Sequence, residues 1–120
     1  MTRSPELLHH VTELLEPYGP PVEVKRMFSG WSLQREDVPF AMILDTLYLR
    51  VDNETRPAYV KAGCQPFRYA NSKREVSVER YYSAPAEALD DGALLADLVD
   101  EAVDAALRDP APSRRKPRAT

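Results

Sequence analysis

The run Phe40-Ala41-Met42-Ile43-Leu44 is apolar at five successive positions, so a strand built from it has no polar side. Such a strand is covered on both faces and belongs in the middle of a sheet, not at its edge. Turn chemistry flanks it: Glu36-Asp37-Val38-Pro39 before and Asp45-Thr46 after. Beyond the second turn, Leu47, Leu49 and Val51 alternate with Tyr48 and Arg50, the period of a strand with one apolar side. Two strands joined by so short a turn pair antiparallel. A chain carrying this pair must build a sheet and then cover it.

Upstream, Phe28 to Arg35 reads as a third strand, with Gly30 inside it as a bulge or a point of close backbone approach. Val22, Val24 and Met27 alternate with Glu23 and Lys25 and form an extended lead-in. Downstream, Asp52 or Asn53 caps a short helix from Glu54 to Ala62, with Pro57 in its first turn and Gly63 closing it at the C′ position. Pro66 to Ala70 and Glu75 to Tyr82 form a hairpin around Asn71-Ser72-Lys73-Arg74.

Helices bracket these strands. Ser4-Pro5-Glu6 supplies a capping hydroxyl, a first-turn proline and a carboxylate facing the helix dipole. Leu7, Leu8, Val11, Leu14 and Leu15 then repeat at helical spacing until Pro17, Gly19, Pro20 and Pro21 stop the helix. Pro85 opens a loop or helical turn. Asp90 or Asp91 caps the last helix, whose apolar face is Leu94, Leu95, Leu98, Val99, Ala102, Val103 and Ala106. The order is helix, three strands, helix, two strands, helix, which predicts an α+β domain.

At 120 residues the chain has the size of one domain, large enough to hold a core without staples. Cys64 is the one cysteine, which excludes an internal disulfide and predicts a reducing compartment. No apolar run reaches the ~20 residues of a membrane-spanning helix, and residues 1–10 lack the apolar segment of a signal peptide. The expected location is the cytoplasm, with no membrane partner. The net charge of −3 conceals two parts. Residues 109–120 carry Arg114, Arg115, Lys116 and Arg118 against Asp109 and read as a disordered basic tail. Residues 1–108 hold 12 basic and 18 acidic side chains, a charge that repels a phosphate backbone.

Chemistry-bearing residues do not assemble into a reacting set. His9 and His10 are adjacent on the first helix and point apart, and no further histidine completes a metal site with Glu13. Cys64 has no histidine base and reads as a half-buried thiol. Asp97, Asp100, Glu101 and Asp104 form the solvated face of the last helix. Neither phosphate-binding glycine pattern is present. The expectation is no enzyme activity, no cofactor, no metal and no small-molecule substrate. Trp31, Tyr48, Arg50, Arg68, Arg80 and Tyr81 are the candidate partner-contact residues, since aromatic and guanidinium groups on a sheet bind single-stranded nucleic acid or protein hot spots. The acidic body favours protein, through a partner or self-association. The alternative is a nucleic-acid-associated accessory protein anchored by Arg114, Arg115, Lys116 and Arg118.

With the strands placed, the order of residues resembles the N-terminal domain of the TfoX/Sxy family. The resemblance rests on Met27-Phe28-Ser29-Gly30-Trp31-Ser32, Phe40 to Leu44, and Leu47-Tyr48-Leu49-Arg50-Val51-Asp52. It continues through Thr55-Arg56, Ala62-Gly63, Pro66-Phe67-Arg68-Tyr69, Tyr81-Tyr82 and Leu89-Asp90-Asp91, spanning about residues 5–108. It implies a two-layer domain with a five-stranded antiparallel sheet and helices packed on it, in the order α-β-β-β-α-β-β-α. Named family members regulate competence genes alongside a transcription factor and are not enzymes. Ser29 and Ser32 stand where the family has glycine. Full-length regulators carry a second, helical C-terminal domain where this sequence has the basic tail, so the resemblance carries the fold further than the competence role.

Overall fold

The apolar run becomes the strand the pattern demands. A computed structural model describes residues 5–27, 30–70 and 72–109. Helix α1 spans Pro5–Leu15, followed by strands β1 Glu23–Met27, β2 Gly30–Arg35, β3 Val38–Ile43 and β4 Leu47–Arg50. Helix α2 is Arg56–Lys61, and β5 Pro66–Ala70 and β6 Glu75–Ser83 come next. A 3₁₀ turn, Ala86–Asp90, leads into helix α3, Gly92–Arg108. The six strands lie in the order β1-β2-β3-β4-β6-β5, every neighbouring pair antiparallel.

The class and the two-layer arrangement are as expected, but the sheet has six strands, not five. The extended lead-in is a full strand, paired with β2 from Glu23 opposite Gln34 to Met27 opposite Gly30. Four of its five side chains are exposed. An edge strand lying beyond the helices gains little apolar burial, so its sequence carries a weak strand signal.

Smaller boundaries also differ. The strand expected from Phe28 begins at Gly30 as β2, while Phe28 and Ser29 lie outside the described residues, as do Ser4 and Asn71. The β2–β3 turn consists of Glu36 and Asp37 alone, both at positive φ (50° and 70°), so Val38 and Pro39 already belong to β3. Two residues with left-handed backbone make a hairpin turn whose twist matches its strands. Helix α2 starts at Arg56 instead of Glu54, because the carboxylate of Asp52 holds the Glu54 and Thr55 amides in a turn ahead of it.

All three helices cover the same side of the sheet. One cluster unites Val11 and Leu15 of α1, Tyr59 of α2 and Leu95, Ala96, Val99 and Ala102 of α3 with Leu33, Phe40, Ala41, Ile43, Leu47 and Leu49 of the strands. Small residues on α3 let its backbone lie close to β3 and β4. Burying each large aliphatic or aromatic side chain contributes ~1.5–3 kcal/mol, and Phe40, Leu33, Ile43, Leu47 and Leu49 have essentially no exposure. An irregularity between Leu33 and Gln34 leaves Phe40 without a paired partner on β2 and turns it inward beside Ala41.

Gly30 is the close approach its position suggested. A Cβ there would lie 2.2 Å from the Ile43 carbonyl oxygen and 2.5 Å from Leu44 Cδ2. Gly63 has another role: its φ of +85° terminates α2 with open space around it.

Candidate functional site

Strand alternation sends Tyr48 to the side opposite Leu47 and Leu49, away from the helices. There it meets Phe67 of β5 edge-on, with ring centroids 5.2 Å apart. Phe67 in turn stacks on Tyr69 at 5.9 Å. Ser83 is paired with Tyr48 on β6, and this small residue leaves space for rings from two non-adjacent strands to touch. Tyr48 and Phe67 are half-buried and Tyr69 is 47% exposed. The Tyr48 hydroxyl donates to Asp45 Oδ1 at 3.3 Å, and burial, reinforced by that carboxylate, raises its pKa. The result is a row of three contacting aromatic rings leading to the free edge of β5.

A second group sits where the last turn of α3 reaches the ends of β4 and β6. Arg108 Nε donates to Asp52 Oδ2 at 2.6 Å, and Asp52 Oδ1 accepts the amides of Glu54 and Thr55 at 3.0 Å each. These bonds, led by that from Arg108, bring the Asp52 pKa from 3.8 down to about 2. The next residue, Asp109, faces the other way: its carbonyl accepts from Arg50 Nη2, and its carboxylate lies 3.8 Å from both Arg50 and Arg80. Arg50 is 3% exposed, and its guanidinium lies 6.0 Å from the Tyr81 ring centroid. Burial lowers the Arg50 pKa and raises that of Tyr81.

The six candidate contact residues therefore do not share one surface. Trp31 pairs with Ile43 and packs against the helical cluster, on the opposite side from Tyr48. Arg50, Arg80 and Tyr81 gather at the α3 terminus. Arg68 is exposed, between Phe67 and Tyr69 in the chain, and donates to Gln65 Oε1 at 3.3 Å. Of the six only Tyr48 belongs to the aromatic row, whose other members, Phe67 and Tyr69, the sequence marks as strand residues and as part of the Pro66-Phe67-Arg68-Tyr69 resemblance. The Pro-Phe-x-Tyr spacing puts two rings on one side of a strand, and that was the available signal. The basic tail residues Arg114, Arg115, Lys116 and Arg118 lie outside the described residues.

The remaining chemistry-bearing groups have local partners. His9 pairs with Glu13 at 3.2 Å, and His10 Nε2 lies 2.6 Å from the Leu89 carbonyl, tying α1 to the 3₁₀ turn. Asp100 receives Arg35 Nη1 at 3.0 Å, so one member of the acidic row on α3 holds a buried arginine. Cys64 is half-buried, and burial raises its pKa. Among the described residues no three histidine, cysteine, aspartate or glutamate side chains converge as a metal requires, and no helix is long and apolar enough to cross a membrane. The family model of the TfoX N-terminal domain matches residues 13–106, from within α1 almost to the end of α3. No curated protein matches the chain.

Proposed function

The chain belongs to the TfoX N-terminal domain family, and we propose that it is a non-enzymatic regulatory module acting through protein contacts. The observation that carries this reading is the row Tyr48–Phe67–Tyr69 on the side of the sheet away from the helices. Contacting aromatic rings, two of them here with a polar hydroxyl end, bury large areas at little cost in side-chain freedom, which is why such rings concentrate where proteins bind one another. The adjoining β5 edge has backbone groups available for strand pairing. Family membership supports a regulatory role.

The test replaces Phe67 and Tyr69 with serine and compares this variant with the unaltered protein. Affinity capture from host lysate and light scattering across concentration are the two readouts. The expected result is a partner, or a self-associated species, that the variant loses while its circular dichroism and melting transition persist. A monomer at all concentrations that recovers nothing, or identical recovery by the variant, refutes the reading.

A further inference from the structure

Arg50 and Arg80 bring two guanidinium groups to the end of α3, where one carboxylate, that of Asp109, lies at ion-pair distance from both among the described residues. At 3.8 Å from each, the Asp109 carboxylate is shared, while the Asp109 backbone carbonyl accepts from Arg50 Nη2. The neighbouring Asp52 carboxylate is committed to Arg108 at 2.6 Å. Two guanidinium groups therefore face a single carboxylate at ion-pair distance, in a body that as a whole is acidic. Nε of Arg50 and Nε of Arg80 are both buried without a hydrogen-bond acceptor. Unsatisfied buried donors are uncommon in folded proteins; Arg35 Nε is another, beside a closed bond to Asp100, and what sets this point apart is that two such donors meet at one shared carboxylate. A cavity of about 320 Å³ adjoins Arg50, lined also by Tyr81, Asp37, Val38, Pro39 and Leu107.

We propose that Arg50 and Arg80 form a receptor for the carboxylate of an aspartate or glutamate side chain on a protein partner, with Asp109 as its intramolecular stand-in. Arginine forks recognise carboxylates through paired N–H donors, and both free Nε atoms become satisfied when an incoming carboxylate replaces the shared one. The apolar wall of Val38, Pro39 and Leu107 suits the methylene stem of such a side chain. Asp37 in the lining repels a dianionic phosphate more than a single carboxylate, and the acidic body repels a nucleic-acid backbone. This assignment rests on the protein-contact reading and names the partner's chemistry.

The test is a titration with N-acetylglutamate amide, using N-acetylglutamine amide as the neutral control, followed through the Nε–Hε resonances of Arg50 and Arg80, and through that of Arg50 alone where Arg80 is replaced. It is run on the unaltered chain, on Asp109→Asn, which keeps the backbone carbonyl but removes the competing charge, and on Arg80→Gln, whose side chain is 36% exposed in the native protein. The expected result is saturable movement of both resonances with the glutamate compound and none with glutamine. Asp109→Asn should bind about tenfold tighter and Arg80→Gln about tenfold weaker than the unaltered chain, the effect of one charged contact. Absence of saturation in Asp109→Asn, an equal response to glutamine, or indifference to Arg80→Gln overturns the proposal. Should a variant not fold, the two titrations of the unaltered chain decide the matter. No partner is needed, so failure here removes this site and leaves the aromatic-row reading to its own test.

Discussion

Replacing Asp52 with asparagine should destabilise the domain by an amount that depends on pH. Asparagine keeps an oxygen for the Glu54 and Thr55 amides but turns a charged acceptor for Arg108 into a neutral amide. The native carboxylate titrates at about 2 instead of 3.8, which at 1.36 kcal/mol per pH unit corresponds to ~2.4 kcal/mol. The carboxylate is covered by its immediate partners but shallow, and the Arg108 side chain is 40% exposed, so solvent screens part of this. The expected loss at pH 7 is ~1–2 kcal/mol. Because the folded pKa lies below the unfolded one, the stabilisation is full above about pH 5 and lost as the pH falls toward 2, with about half gone by about pH 3. Urea denaturation of both proteins at pH 7, 4 and 3 measures this directly. A difference below ~0.3 kcal/mol at pH 7, smaller than an ordinary surface ion pair, or one unchanged at pH 3, refutes the account. Arg108→Gln should reproduce the loss, and the double variant should cost little more than either single change.

Two glycine substitutions should separate by mechanism. Gly30→Ala pushes a methyl into the Ile43 carbonyl, which cannot move without the strand, and should cost ~3 kcal/mol or more. Gly63→Ala meets open space at φ +85° and should cost only ~1 kcal/mol from backbone strain. Both are read from urea midpoints. Asp100→Ala strips the carboxylate from Arg35, whose side chain is 6% exposed, while Asp100 itself is 69% exposed. Screening at that exposed partner should hold the loss to ~1–2 kcal/mol, below the cost of breaking a fully buried pair. Cys64 should react with a disulfide reagent at pH 7–8 more slowly than a free thiol, since burial raises its pKa, and urea should restore the ordinary rate.

The elements that sequence reasoning located best were those with their own local chemistry. The unbroken apolar run of β3, the alternation of β4, the Asp91 cap on the Leu94 amide and the Gly63 terminus each follow from a few adjacent residues. The β1 strand escaped because what makes it a strand is its neighbour β2, not the pattern Glu23-Val24-Lys25-Arg26-Met27, which has no apolar side to hide. Trp31 shows the same limit at one residue. Whether it faces the helices or the open side depends on a register set by β3, and the pairing with Ile43 puts it inward.

The sites were harder to foresee because their partners are remote in the chain. Arg108 and Asp52 stand 56 positions apart, and Arg50 and Asp109 stand 59 apart. No spacing rule links such pairs; they meet because α3 packs along β3 and β4 and ends beside the last residue of β4. The successive residues Arg108 and Asp109 then reach carboxylate and guanidinium partners on two sides of that point, so the helix terminus is fastened by opposite charges in turn. The two fastenings are unequal. Asp52 is fully engaged, with its amide and guanidinium bonds at 2.6–3.0 Å, whereas Arg50 and Arg80 share one carboxylate at 3.8 Å and retain buried donors. In the second place the bond that closes is that of the Asp109 carbonyl with Arg50, and the Asp109 carboxylate is left at the longer distance. The Asp52 bonds and that carbonyl are therefore the hold on the helix, and the Asp109 carboxylate is the group an incoming carboxylate can exchange without unfastening the domain.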